Sequence, residues 1–279
     1  MSVSDFAIAV CQMNSIDDVE TNYRQIVSLL DQISKSQSVQ MACFPENCLY
    51  LRTLEGEKVQ GLHLVDKVFH QLATQAKERG IFLHLGASPI REHGKLYNAS
   101  VLIAPTGEVR MSYQKIHLFN IELEGQAPIR ESDVYTYGEK PEILEIHGWH
   151  IGQTICYDLR FAELFNYYAQ HLVDLILVPA SFLVPTGKAH WEVLLRARAI
   201  ESQAYVVAAA QAGTHNGVKG GKRETYGHSL VVDPWGQIVA EAKTMGPEVM
   251  ILSLSHQRIQ DVRRQIPMRY HRRLVQMKR

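Results

Sequence analysis

The sequence predicts an α/β fold in which two like β-sheets pack face to face with helices outside, and three observations predict it. Apolar runs of strand length alternate with helix-period segments from Phe6 to Leu254. Two turn sequences of one type, Ala104-Pro105-Thr106-Gly107 and Asp233-Pro234-Trp235-Gly236, each join a pair of short apolar runs, so one antiparallel hairpin falls in each half of the chain. No Ser/Pro/Gly-rich linker, low-complexity tract or composition shift interrupts the chain, so residues 1–279 read as one domain, with 46% hydrophobic content to fill its core.

Residues 6–13 read as a buried strand. Residues 19–36 read as a helix, since Val19, Tyr23, Ile26, Leu30 and Ile33 share one face. A strand over 39–44 stops at Pro45. A helix over 62–79 ends on Gly80 as its C-cap, and 81–88 returns as a strand. The runs 97–103 and 109–114 flank the first turn, and Lys115 ends the second of them. Residues 119–141 form a polar, Gly/Pro-bearing excursion, long enough to be functional if structureless. A strand over 150–155 delivers Cys156 towards a helical stretch beginning near Phe161. Next come a strand at 173–178 ending at Pro179, a helix over 189–202 and a strand from Tyr205 to Ala210. The second hairpin, 228–232 and 237–241, precedes a short strand at 248–253.

Lysine plus arginine and aspartate plus glutamate both total 29, so no chain-wide field draws nucleic acid or an anionic membrane, and the expected partner is a small molecule. Arg263, Arg264, Arg269, Arg272, Arg273, Lys278 and Arg279 make the last stretch basic. They alternate with apolar residues and lack an aromatic stacking ladder, so a solvated or subunit-contacting tail is expected. The apolar run Phe6 to Val10 follows no basic segment and is too short for a leader or a membrane span, which predicts a cytoplasmic protein. Cys11, Cys43 and Cys48 lie in or beside apolar runs and no CxxC pair occurs, so neither a disulfide framework nor a zinc site is expected.

Glu46, Lys115 and Cys156 each follow an apolar strand, and in an α/β sheet fold such positions meet at one rim. The set is chemically coherent. A thiol must lose a proton to attack a carbonyl, a carboxylate accepts it, and an ammonium with the next backbone N–H can hold the oxyanion. Singly, each has an ordinary reading: a small core residue for Cys156, a loop charge for Glu46 and a strand-end solvent lysine for Lys115.

With their neighbours they carry more. Phe44-Pro45-Glu46-Asn47, Tyr113-Gln114-Lys115-Ile116-His117-Leu118 and Ile155-Cys156-Tyr157-Asp158-Leu159-Arg160-Phe161 resemble, in order, the three signature blocks of the nitrilase, or carbon-nitrogen hydrolase, superfamily. The resemblance implies an αββα sandwich, pairing as a dimer into an αββα-αββα stack or a higher homo-oligomer. It also implies a Glu, Lys, Cys triad that uses no metal or organic cofactor. By that match the roles fall on Glu46, Lys115 and Cys156. Arg130-Glu131-Ser132 fits the family's second glutamate, which would make Glu131 the group that orients the lysine or the attacking water; Glu122 and Glu124 share its loop.

Within the superfamily, Thr186-Gly187-Lys188-Ala189-His190-Trp191-Glu192 through Arg196-Ala197-Arg198-Ala199-Ile200-Glu201, with Tyr226-Gly227-His228-Ser229, looks most like the branch that hydrolyses deaminated glutathione to α-ketoglutarate and cysteinylglycine. Enzymes acting on α-ketoglutaramate are the nearest sister, and other amidases or carbamoylases, a glutaminase module and a silent scaffold are the remaining alternatives. Pro45-Glu46-Asn47-Cys48-Leu49-Tyr50 departs from sequences typical of either branch, which bears on the pocket and not on the chemistry. Expected substrate contacts are Tyr50, Tyr157, Ser181, Phe182, Thr186 and His190. Asp158 and Arg160 are expected to pair with each other, His117 to be a supporting donor, and Val193, Leu194, Ala197 and Ile200 to form core or a dimer face.

Overall fold

The computed structural model describes residues 3–33, 38–54, 56–122, 128–243 and 245–273. β1 (Phe6–Gln12) leads into α1 (Val19–Asp31), whose start is fixed by Asp18 accepting a hydrogen bond from the Thr21 backbone at 2.8 Å. The expected last turn of that helix, 34–36, lies outside the described residues. β2 (Met41–Phe44) stops before Pro45. α2 (Lys67–Arg79) starts later than its periodicity predicts, because β3 (Phe82–Glu92) captures Leu62: the Leu62 N–H donates to the Pro89 carbonyl, and the Arg91 N–H to that of Leu62. Gly80 ends α2 in the left-handed conformation, φ 66°.

β4 (Lys95–Ile103) and β5 (Val109–Gln114) form the expected hairpin. The excursion holds two short paired strands, β6 (Asn120–Ile121) and β7 (Ile129–Arg130), then a 3-10 turn at Glu131–Asp133. β8 (Ile143–Ile146), not expected, pairs with β9 (Trp149–Gln153). After a 3-10 turn over Cys156–Arg160 come α3 (Ala162–Gln170), β10 (Leu175–Leu177) and α4 (Val184–Ser202). α4 begins before the expected residue 189, with Pro185 in its first turn, where a missing N–H costs nothing. β11 (Tyr205–Ala208) precedes an unexpected hairpin of β12 (Ala212–Asn216) and β13 (Lys222–Tyr226). β14 (Leu230–Val232), β15 (Ile238–Glu241) and β16 (Glu248–Leu254) follow, then α5 (His256–Gln265) and α6 (Met268–His271). Part of the basic tail is thus helical and docked: Arg263 pairs with Asp174 at 3.2 Å, and Arg258 with Asp233 at 2.8 Å. Lys278 and Arg279 lie outside the described residues.

Two six-stranded mixed sheets result, ordered β16-β1-β2-β3-β4-β5 and β15-β14-β11-β10-β9-β8. Each has three parallel strands at its centre and antiparallel strands outside them. Alternation along β1 shows the layering. Ile8 and Val10 enter the core between the sheets, with Leu175, Leu177 and Val207, while Ala9 and Cys11 meet Ile26, Leu30, Phe69 and Leu72 of the first helical layer. On the other sheet Ile176, Val206 and Ala208 pack with Leu164, Phe165 and Leu195 of α3 and α4. Helices outside two facing sheets make the order α, β, β, α. The helical stripe on α4 divides: Leu194 packs inward, whereas Val193 and Ile200 are exposed. Among the described residues no helix is long and apolar enough to cross a membrane.

One irregularity brings the sheets close. The β3–β4 register shifts between Leu85 and Ser88, and a Cβ placed on Gly86 there would lie 2.1 Å from the Phe44 carbonyl oxygen and 2.2 Å from Pro179 Cβ. Only glycine admits both approaches at once.

Candidate active site

Glu46 lies two residues past β2, Lys115 directly follows β5, and Cys156 opens the 3-10 turn after β9. These ends converge. Lys115 Nζ is 2.8 Å from Glu46 Oε1 and 2.8 Å from Glu131 Oε2, with the second Glu131 oxygen at 3.1 Å. The Cys156 thiol lies beside the Glu46 carboxylate and the Ser181 backbone amide, near enough for each to shift its ionisation. Asn98 on β4 ties the acids together: its amide nitrogen donates to Glu46 Oε1 at 2.9 Å and to Glu131 Oε1 at 2.7 Å. The Phe119 N–H adds a 2.6 Å bond to Glu131 Oε2. Glu46, Lys115 and Cys156 are all buried, with Lys115 only 2% exposed.

Burial opposes the charge on Lys115, but the Glu131 and Glu46 carboxylates beside it outweigh that and hold the ammonium well above its ordinary value. For Glu46 burial raises the pKa, yet the Lys115 charge and the hydrogen bonds leave it below the usual carboxylate value. Burial pushes the Cys156 thiol well up, and the Glu46 charge pushes it further. The resting site therefore holds a neutral thiol against an ionised carboxylate, an arrangement in which the carboxylate can accept the thiol proton. It follows that alkylation of Cys156 by iodoacetamide, followed by mass spectrometry of its peptide, will be nearly flat between about pH 6 and 9. A sigmoidal rise centred near 9.0, the ordinary thiol value, would show a thiol ionising independently of Glu46.

The turn that presents the sulfur is strained and braced. Cys156 has φ +48°, uncommon for a residue with a side chain, and its N–H donates to the Pro179 carbonyl at 2.9 Å. The Tyr157 N–H has no acceptor among the described residues, so it remains available as a donor beside the sulfur. Asp158, fully buried, accepts from the Ile155 N–H (2.9 Å), the His117 N–H (2.9 Å) and the Tyr113 hydroxyl (2.8 Å), and lies 2.7 Å from His117 Nδ1. These partners occupy its carboxylate, so the expected pair with Arg160 does not form. Arg160 instead lies over the Tyr157 and Phe182 rings, at 5.8 and 5.4 Å, and bonds His190.

Tyr50, Tyr157, Ser181, Phe182 and Thr186 line one cavity with Glu46, Lys115, Glu131 and Cys156. His190 does not: the early start of α4 puts Thr186 in its first turn and His190 a turn further, exposed and bonded to Arg160. Asn98, Arg52 and Arg223 also line the cavity and were not expected. Asn98 carried a signal, a polar residue inside the apolar run 97–103, whereas Arg223 sits on a strand that the apolar pattern does not mark.

Residues 7–264 match the family model described as carbon-nitrogen hydrolase. The chain is 38% identical to the deaminated glutathione amidase of Bos taurus, covering 95% of this chain and 81% of that protein. It is 34% identical to the enzyme of the same name from a Synechocystis strain, covering 97% and 99%. Among solved structures it superimposes on the Caenorhabditis elegans NitFhit protein with a TM-score of 0.86 at 32% identity, covering 98% of this chain and 66% of that one.

Proposed function

The chain belongs to the carbon-nitrogen hydrolase family and is an enzyme acting on amides; from that premise we propose that it hydrolyses deaminated glutathione through a thioester on Cys156. The observation that carries the mechanism is the thiol, the carboxylate of Glu46 and the ammonium of Lys115 meeting in one cavity. In this reading Cys156 Sγ attacks the amide carbonyl carbon as its proton passes to Glu46. The carbonyl oxygen takes up negative charge and is held by the Tyr157 N–H and the Lys115 ammonium, which has three hydrogens and two carboxylate partners. Glu46 returns the proton to the departing nitrogen, the C–N bond breaks, and the acyl group stays on sulfur. Water then loses a proton to Glu46 and attacks the thioester; the acid leaves and the proton goes back to the thiol. Asn98 and Glu131 keep the base and the ammonium in register throughout.

The names of the amidase relatives and the lack, among the described residues, of an ion-pair partner for Arg160, four residues past the nucleophile, support an acyl half that bears its own carboxylate. Steady-state assays of deaminated glutathione beside α-ketoglutaramate, reading cysteinylglycine and ammonia respectively, test this. A higher kcat/KM for deaminated glutathione is expected; the reverse order moves the enzyme to the shorter amide, and turnover of neither removes the assignment.

A further inference from the structure

We propose that Arg52 and Arg223 form a second anion subsite in the catalytic cavity, taking a carboxylate carried by the leaving-group half of the substrate. The proposal rests on the amidase reading above and adds what lies on the far side of the scissile bond. The cavity wall carries four cationic side chains, Arg52, Lys115, Arg160 and Arg223, against two carboxylates, Glu46 and Glu131. Both carboxylates are taken up by Lys115 and Asn98. The three guanidiniums are left without an acidic partner among the described residues. Among the described residues Arg52 donates only to the Glu57 backbone carbonyl, at 3.4 Å, Arg160 bonds His190, and the Arg223 guanidinium makes no hydrogen bond. Guanidinium stays protonated at any pH the enzyme meets, so the wall holds a formal surplus of two positive charges, which a dianion would match.

The arginines reach the cavity from different elements. Arg160 belongs to the turn that carries Cys156 and rests on Tyr157 and Phe182. Arg52 comes from the segment that follows Glu46, and Arg223 from β13. Their backbones are held together. The tip of the β12–β13 hairpin packs so tightly on residues 53 and 54 that a Cβ on Gly217 would lie 2.0 Å from Thr53 Oγ1, and one on Gly221 2.7 Å from the Leu54 nitrogen. The Val218 N–H donates to Asp17 Oδ1 at 2.7 Å, and Lys219 pairs with Glu57. The residue before Thr53 and the second residue after Gly221 therefore present their guanidiniums from abutting segments. Because Glu46 must hand its proton to the departing nitrogen, the leaving half is assigned to the Glu46 side, whose chain continues into the segment that carries Arg52. A carboxylate at the end of a dipeptide-like amine is the group a pair of guanidiniums holds best.

The test uses the intact enzyme and two substrates with one acyl half. One is the amide of α-ketoglutarate with cysteinylglycine; the other is the same compound with the glycine carboxylate capped as a carboxamide. Wild type is expected to favour the free carboxylate by about 10- to 100-fold in kcat/KM, and the Arg52→Gln, Arg223→Gln double variant to reduce that preference to about twofold. A loss of folded enzyme lowers both rates and leaves their ratio unchanged, so the ratio reads the subsite alone. Arg160→Gln is expected to slow both substrates and keep the preference. A preference that survives in the double variant, or a wild type that cleaves both forms equally, overturns the subsite and leaves the amidase reading standing. A wild type that cleaves neither removes both.

Discussion

Cys156→Ala is expected to lose at least about 10⁴-fold in kcat while melting within a few degrees of wild type, because groups that act as one nucleophilic unit fail together when the attacking atom is deleted. The rest of the site has no reason to move: Lys115 still bridges Glu46 and Glu131, and Asn98 still donates to both. The turn is held by Asp158 and by the backbone bond to Pro179, neither of which uses the sulfur. Intact-protein mass spectrometry during turnover adds a direct reading, since wild type should accumulate an acyl adduct on residue 156 and the variant none. A variant that keeps a tenth of the wild-type rate would show that another group attacks the carbonyl.

Lys115→Met is expected to cost about 3 to 5 kcal/mol of stability as well as activity, because it strands two buried carboxylates side by side. The pH dependence separates this from a packing loss. In wild type the Glu46 pKa is depressed, so its stabilising contribution is present above the ordinary carboxylate value of 4.5 and is lost as pH falls through the lowered one. Without the ammonium, mutual repulsion and burial turn the shift upward. The penalty in the variant should then be largest at neutral pH and shrink as acid protonates the pair. Thermal melts at pH 7.5 and pH 5, with Lys115→Met, Glu131→Gln as the variant that removes one charge, check the sign. An equal deficit at both pH values would mean that the lysine matters only for packing.

The convergence of the three strand-end residues was more legible than the cavity walls around them. Glu46, Lys115 and Cys156 could be picked out because each ends an apolar run, and strand ends are where this fold gathers side chains. β12 and β13 could not, since Ala-Gly-Thr-His-Asn and Lys-Arg-Glu-Thr-Tyr form a small sheet of their own whose buried positions include the polar His215 and Thr225, so no apolar alternation marks them. α5 was hidden by its charge: it buries only Ile259 and Val262, and Arg258 and Arg263 find partners far away in sequence. The first turns of α4 carry Pro185 and Gly187, residues of low helix propensity, and the glycine is needed there because a Cβ at 187 would lie 2.2 Å from the Tyr226 ring. Sequence proximity also misled at Asp158 and Arg160. The short turn between them points one into the protein and the other into the cavity.

The empty position at Gly86 makes the proton's two addresses mechanically dependent on a spot with no chemistry of its own. The strand end leading to the base and the loop whose carbonyl grips the nucleophile's amide lean on the same bare backbone. A single methyl there must shift one relative to the other, so a change buried in a sheet could detune proton transfer while every residue facing the substrate stayed as it was.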